Sequence, residues 1–208
     1  MNHLLEVPEG AKALYVLAHG AGAGMRHPFM DAIARVLAAR GIGTFRYEFG
    51  YMEKKSRRPD APTVAMARVR EAVAEAQAAA PGLPLLAGGK SFGGRMTSNA
   101  QAESPLPGVL GLVFLGFPLH PPGKPSIARA DHLDRVEVPM LFVQGTKDEF
   151  AQPALLAQVL GRVGPRASLH AVEGGNHSFA VPKSTGRSKD DVLAELGDAI
   201  TGWAARLS

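Results

Sequence analysis

The sequence predicts an α/β fold: a mostly parallel sheet of about six strands with helices on both faces. Two observations carry this. Short apolar runs bounded by glycine or proline alternate with longer stretches of helical periodicity, as in βα units. No period of 20 to 50 residues recurs, which excludes solenoids and propellers. The 208 residues are 46% hydrophobic and 20% charged, a globular mix that excludes disorder and fits one domain over 1–208.

In chain order, the clear strands are 13–18, 84–87, 109–115 and 140–143, with weaker candidates at 44–46 and 167–171. Helices are expected over 28–39, 63–80, 91–103, 153–163 and 188–206. The second is so rich in alanine and glutamate that propensity alone favours it. Between residues 117 and 139, Pro118, Pro121, Pro122, Gly123 and Pro125 forbid a long helix, so a surface loop is expected before a short segment at 131–136. A second loop, 50–62, carries Lys54, Lys55, Arg57 and Arg58; such a charge run reads first as a solvated face.

With no cysteine, the chain has no disulfide, no thiolate nucleophile and no Cys-ligated metal site. Any nucleophile is oxygen or nitrogen. The first residues lack the pattern of a secretory signal and no apolar run approaches a membrane span, so the expectation is a cytoplasmic protein without membrane partners. A net charge of +4 is too mild to call for nucleic acid.

The strongest local signal is Gly89-Lys90-Ser91-Phe92-Gly93, a G-x-S-x-G turn between an apolar strand and a helix. A serine there sits on a strained turn, and glycines two positions either side let the strand and helix backbones approach. Phe92 N–H, at the helix start, is the expected oxyanion donor. A phosphate-loop reading fails because Pro84 stands where the first glycine is needed, and the dinucleotide fingerprint fails at Met25. A plain Ser N-cap with flanking glycines remains the simplest alternative.

Downstream residues favour catalysis. Asp148 follows the apolar strand Pro139–Val143 and a Gly145 turn, with Glu149 and Asp131 as fallbacks. His177 lies in the glycine-rich loop after the last weak strand, giving the order Ser, Asp, His. His177 is read as the base and Asp148 as its orienter. His19 opens a Gly-Ala-Gly-Ala-Gly loop in which Ala21 N–H, or else Gly22 N–H, serves as second oxyanion donor, with the His19 ring bracing the loop. His3, His27, His132 and His170 read as structural or surface residues.

Together, His19-Gly-Ala-Gly, Gly-Lys-Ser91-Phe-Gly-Gly, Gly-Thr-Lys-Asp148 and Gly-Asn-His177 resemble the α/β-hydrolase superfamily, specifically its small dienelactone-hydrolase-like members. Ala21 to Met30, Gly88 to Met96 and Phe117 to Lys124 look like the hydrolases related to testis-expressed protein thirty. The resemblance implies the superfamily's fold and a serine esterase or thioesterase passing through an acyl-enzyme, without cofactor or metal, on a small-molecule ester or thioester. Dienelactone hydrolases proper use cysteine, so lactone specificity is not carried over. The interval between the strands at 109–115 and 140–143 is too short for a helical cap domain, implying a shallow, partly open pocket; Phe117, Pro118, Leu119 and His120 are candidates for its wall. Tyr47, Tyr51 and the basic loop are expected near the same edge. The alternative is a catalytically idle fold serving as a protein-binding module.

Overall fold

The computed structural model describes residues 1–56 and 58–207. Seven strands form one sheet in the order β1-β3-β2-β4-β5-β6-β7. They are β1 (His3–Glu6), β2 (Ala13–Ala18), β3 (Ile42–Tyr47), β4 (Leu85–Lys90), β5 (Val109–Leu115), β6 (Met140–Gly145) and β7 (Ala167–Val172). All neighbours pair in parallel except β1, which runs antiparallel to β3.

The expected mostly parallel sheet of about six strands is present, with seven strands in all. The missed β1 is an edge strand of only four residues, alternately exposed and half-buried. It lacks the continuous apolar run that betrays a strand covered on both faces, such as the fully buried β2.

The helices are α1 (Pro28–Ala38), α2 (Gly50–Glu53), α3 (Pro62–Ala79), α4 (Phe92–Glu103), α5 (Pro153–Val163) and α6 (Lys189–Ala204). α1, α3 and α5 each start on proline, whose fixed φ and missing N–H suit the first helical position. Ser188 and Asp191 form a reciprocal capping box at α6. Met30, Ile33 and Leu37 of α1 pack with Leu196, Ile200 and Trp203 of α6 in one apolar layer. Val69 and Val73 of α3, Met96 and Ala100 of α4, and Leu156 and Val159 of α5 fill the other.

Two expected loops differ. The 50–62 segment opens with α2. The 117–139 segment is no simple surface loop: Phe117, Leu119 and His120 are buried, and a 3-10 helix covers Ala128–Arg135. Its prolines do exclude a long α-helix, but its aromatic and leucine side chains find core on the α4 side. No helix among the described residues is long and apolar enough to cross a membrane.

Candidate active site

A parallel sheet places the ends of its strands on one rim, so residues that follow β2, β4, β6 and β7 meet there. Ser91 follows β4 directly and caps α4 with φ 48° and ψ −112°, a conformation that L-residues rarely adopt. The turn needs its glycines. A Cβ on Gly89 would lie 2.2 Å from the Ala18 carbonyl oxygen, and one on Gly93 would lie 2.6 Å from that of His19.

Three side chains from separate strand ends form a hydrogen-bonded chain. His177 Nε2 lies 2.9 Å from Ser91 Oγ, and His177 Nδ1 lies 2.7 Å from Asp148 Oδ2. With Nδ1 protonated and donating to the carboxylate, Nε2 is left to accept from the serine hydroxyl. Asp148 is buried, and its other oxygen, Oδ1, accepts the Phe150 amide at 2.8 Å. The Phe150 ring packs against the imidazole with centroids 4.2 Å apart. The two fallback acids lie elsewhere: Asp131 pairs with Arg162, and Glu149 is exposed.

Gln144 and Lys90 escaped the sequence reading. Gln144, buried on β6, donates to Asp148 Oδ2 at 2.6 Å and accepts the Phe117 amide at 2.8 Å, so one side chain locks the acid to the start of the 117–139 segment. The signal was available: a polar residue inside the apolar run Met140–Val143 and its turn needs a buried partner. Lys90 Nζ donates to the His177 carbonyl oxygen at 2.6 Å. Burial pushes the Lys90 ammonium down to about 8, with the Asp148 charge opposing the shift.

The loop after β2 faces the serine from the other side. His19 is fully buried; its Nδ1 lies 2.8 Å from the Gly20 carbonyl oxygen and its Nε2 lies 3.2 Å from the Phe49 amide. Nδ1 is thus placed to donate to Gly20, while Nε2 also lies 3.2 Å from Glu48 Oε2. The Gly20 carbonyl shares its peptide plane with Ala21 N–H, so the ring also fixes where that amide points. Gly22 N–H is already donated to Tyr51 Oη at 2.9 Å, which gives Tyr51 a place in the loop's support and leaves the Ala21 amide as the free one. Tyr47, by contrast, is buried in the core.

A cavity of about 330 Å³ opens beside Ser91 and His177, lined by Ala21, Phe29, Met30 and Phe150, with Lys90 and His27 as its other titratable neighbours. Phe117, Pro118, Leu119 and His120 do not line this cavity; all four are buried, Phe117 and Leu119 in the apolar core. A larger hollow of about 630 Å³, bounded by Met1, Arg26, Glu48 and Met52, contains none of the three linked residues. Of the basic loop, Lys54, Lys55 and Arg58 are exposed and Arg57 lies outside the described residues. The remaining histidines have structural or surface places: His132 bonds Ser98 at 2.7 Å, His170 pairs with Glu195, and His3 stacks on Phe45. Among the described residues, no group of three or more His, Cys, Asp or Glu is arranged to hold a metal ion.

Residues 11–205 match the family described as alpha/beta hydrolase domain. The chain belongs to the α/β-hydrolase family. Solved structures similar to it share the fold at low sequence identity. A dienelactone hydrolase from Anabaena variabilis superposes with a TM-score of 0.75 at 21% identity, covering 98% of this chain and 90% of that one. An α/β serine hydrolase without lid from Xanthomonas campestris gives 0.74 at 20%, covering 97% and 88%. A monoacylglycerol lipase from Paleococcus ferrophilus gives 0.72 at 15%, covering all of both chains. This α/β-hydrolase domain carries helices on both sides of the sheet and no cap domain between β5 and β6, where only the segment with the 3-10 helix intervenes.

Proposed function

We propose that the protein is a serine hydrolase that cleaves the acyl bond of a small ester or thioester through an acyl-enzyme. The observation that carries this reading is the Ser91–His177–Asp148 chain, with contacts of 2.9 and 2.7 Å, at a serine held in a strained turn. Ser91 Oγ attacks the carbonyl carbon while its proton passes to His177 Nε2, and Asp148 stabilises the resulting imidazolium through Nδ1–H. The new oxyanion is met by the amides of Phe92 and Ala21. The carbon–leaving-group bond then breaks, and the departing oxygen or sulfur takes the proton from Nε2. Water, deprotonated by the same nitrogen, attacks the acyl-serine; Ser91 leaves with the proton, and the carboxylic acid is released.

The uncapped site and its apolar cavity suit a short or medium acyl group, or an ester presented at a surface. One of the similar structures is named as an esterase domain and another as a monoacylglycerol lipase, which agrees with an ester substrate. The test is a panel of p-nitrophenyl esters and acyl-CoA thioesters of graded length, run on wild type and Ser91→Ala. Ser91→Ala is expected to lower turnover by roughly 10³-fold or more. Labelling by a fluorophosphonate should require Ser91; an unlabelled, inactive wild type would instead indicate an idle fold used for binding.

A further inference from the structure

Lys90 sits between the nucleophile and the loop that carries the base. That loop is attached on its acid side by backbone: Lys147 N–H donates to the Gly175 carbonyl oxygen at 2.9 Å, and Gly174 N–H donates to Thr146 Oγ1 at 2.8 Å. Internally, Asn176 Oδ1 accepts the amides of Ser178 and Ala180 at 2.9 and 3.0 Å, and Phe179 is held at φ 61°. These bonds fix His177 relative to Asp148. On the nucleophile's side, the bond from Lys90 Nζ to the His177 carbonyl oxygen at 2.6 Å does the corresponding work. The ammonium also lies 5.4 Å above the Phe179 ring.

The position of the charge matters as much as the bond. A Cβ on Gly116, in the turn after β5, would lie 3.0 Å from Lys90 Nζ, 3.5 Å from Asp148 Oδ2 and 3.5 Å from His177 Cε1. A half-buried cation thus stands beside the carboxylate–imidazole pair. Desolvating it works against stability, since the charged form is disfavoured by burial. Packing alone does not call for an ammonium, because methionine could fill the same volume.

We infer that Lys90 is a positioning residue: it sets the reach of His177 to Ser91 by tying the base's loop to the residue preceding the nucleophile. The inference rests on the triad reading above. The titratable groups facing Lys90 are Asp148 from the turn after β6, His177 from the loop after β7 and, across the cavity, His27 before α1; Ser91 adjoins it in sequence.

The test compares Lys90→Met, Lys90→Gln and Lys90→Arg with wild type and Ser91→Ala on one p-nitrophenyl ester, with folding checked by Trp203 fluorescence. Lys90→Met should lower kcat on the order of 10²-fold with little change in KM, since misplacement of about 1 Å has that effect. Lys90→Gln should lose kcat in the same way, while Lys90→Arg, which keeps a long cationic donor, keeps most of the rate. A folded Lys90→Met enzyme with wild-type kcat, or a folded Lys90→Arg enzyme as impaired as Lys90→Met, overturns the inference. Ser91→Ala separates the two levels: activity surviving there defeats the triad reading itself, whereas loss there with normal Lys90 variants defeats the Lys90 role alone.

Discussion

Replacing Ser91 by glycine and by alanine isolates the strain stored at the proposed nucleophile. Both variants lose the hydroxyl and its contact with His177, so that term cancels between them. They differ in how well they tolerate φ 48° and ψ −112°. A residue with a Cβ in such a sparsely populated region costs roughly 1–3 kcal/mol. Glycine adopts it freely but loses roughly 0.5–1 kcal/mol more chain entropy on folding than alanine does. The net expectation is a Ser91→Gly protein more stable than Ser91→Ala by about 1 kcal/mol, within a span of roughly 0–2.5. For a chain of this size 1 kcal/mol is a Tm higher by about 2–4 °C. Urea unfolding followed through the buried Trp203 gives the same difference as a shift in midpoint at unchanged slope. A Ser91→Ala protein more stable than Ser91→Gly would refute the stored strain, and hydrolysis retained by either would refute the nucleophile.

Three further outcomes are expected. Burial, reinforced by the charges of Arg95 and Arg135, pushes the His132 imidazole down to about 4. Between that value and its ordinary one near 6.5 the unfolded chain binds the extra proton, so stability falls as pH drops through this window and stops falling below it. The wild type should lose about 2 kcal/mol between pH 7 and pH 5 in urea titrations that His132→Gln does not lose. His19→Ala removes the donor that fixes the Gly20–Ala21 peptide; turnover should drop by roughly 10²-fold, comparable to losing an oxyanion donor, with KM little changed in steady-state kinetics. Gly116→Ala, forced to keep φ 71° with its Cβ crowding Lys90 Nζ, should lose most activity while circular dichroism shows the α/β content intact.

Much of this domain was legible along the chain. Strands covered on both faces show as apolar runs, and the residues just past their ends are then known to share a rim, because parallel strands all point the same way. That is why Ser91, Asp148 and His177 could be singled out without coordinates, and why Gly89 and Gly93 could be tied to close backbone approach. The edge strand β1 escaped because it is half solvated. The buried course of 117–120 escaped because prolines mark where a helix cannot run, which says nothing about whether the chain lies inside or outside.

The sequence by itself determined the class of fold, the elbow and the order of the three linked residues, since each of these is written in local periodicity or in spacing. Only the tertiary structure decided which neighbours complete the site: Gln144 against Asp148, Lys90 against the His177 carbonyl, Phe150 against the imidazole, and Tyr51 taking the Gly22 amide. Such contacts depend on strand register and loop height, which distant segments set jointly. A displacement of a few ångströms reassigns every hydrogen bond without changing the apolar pattern of any strand.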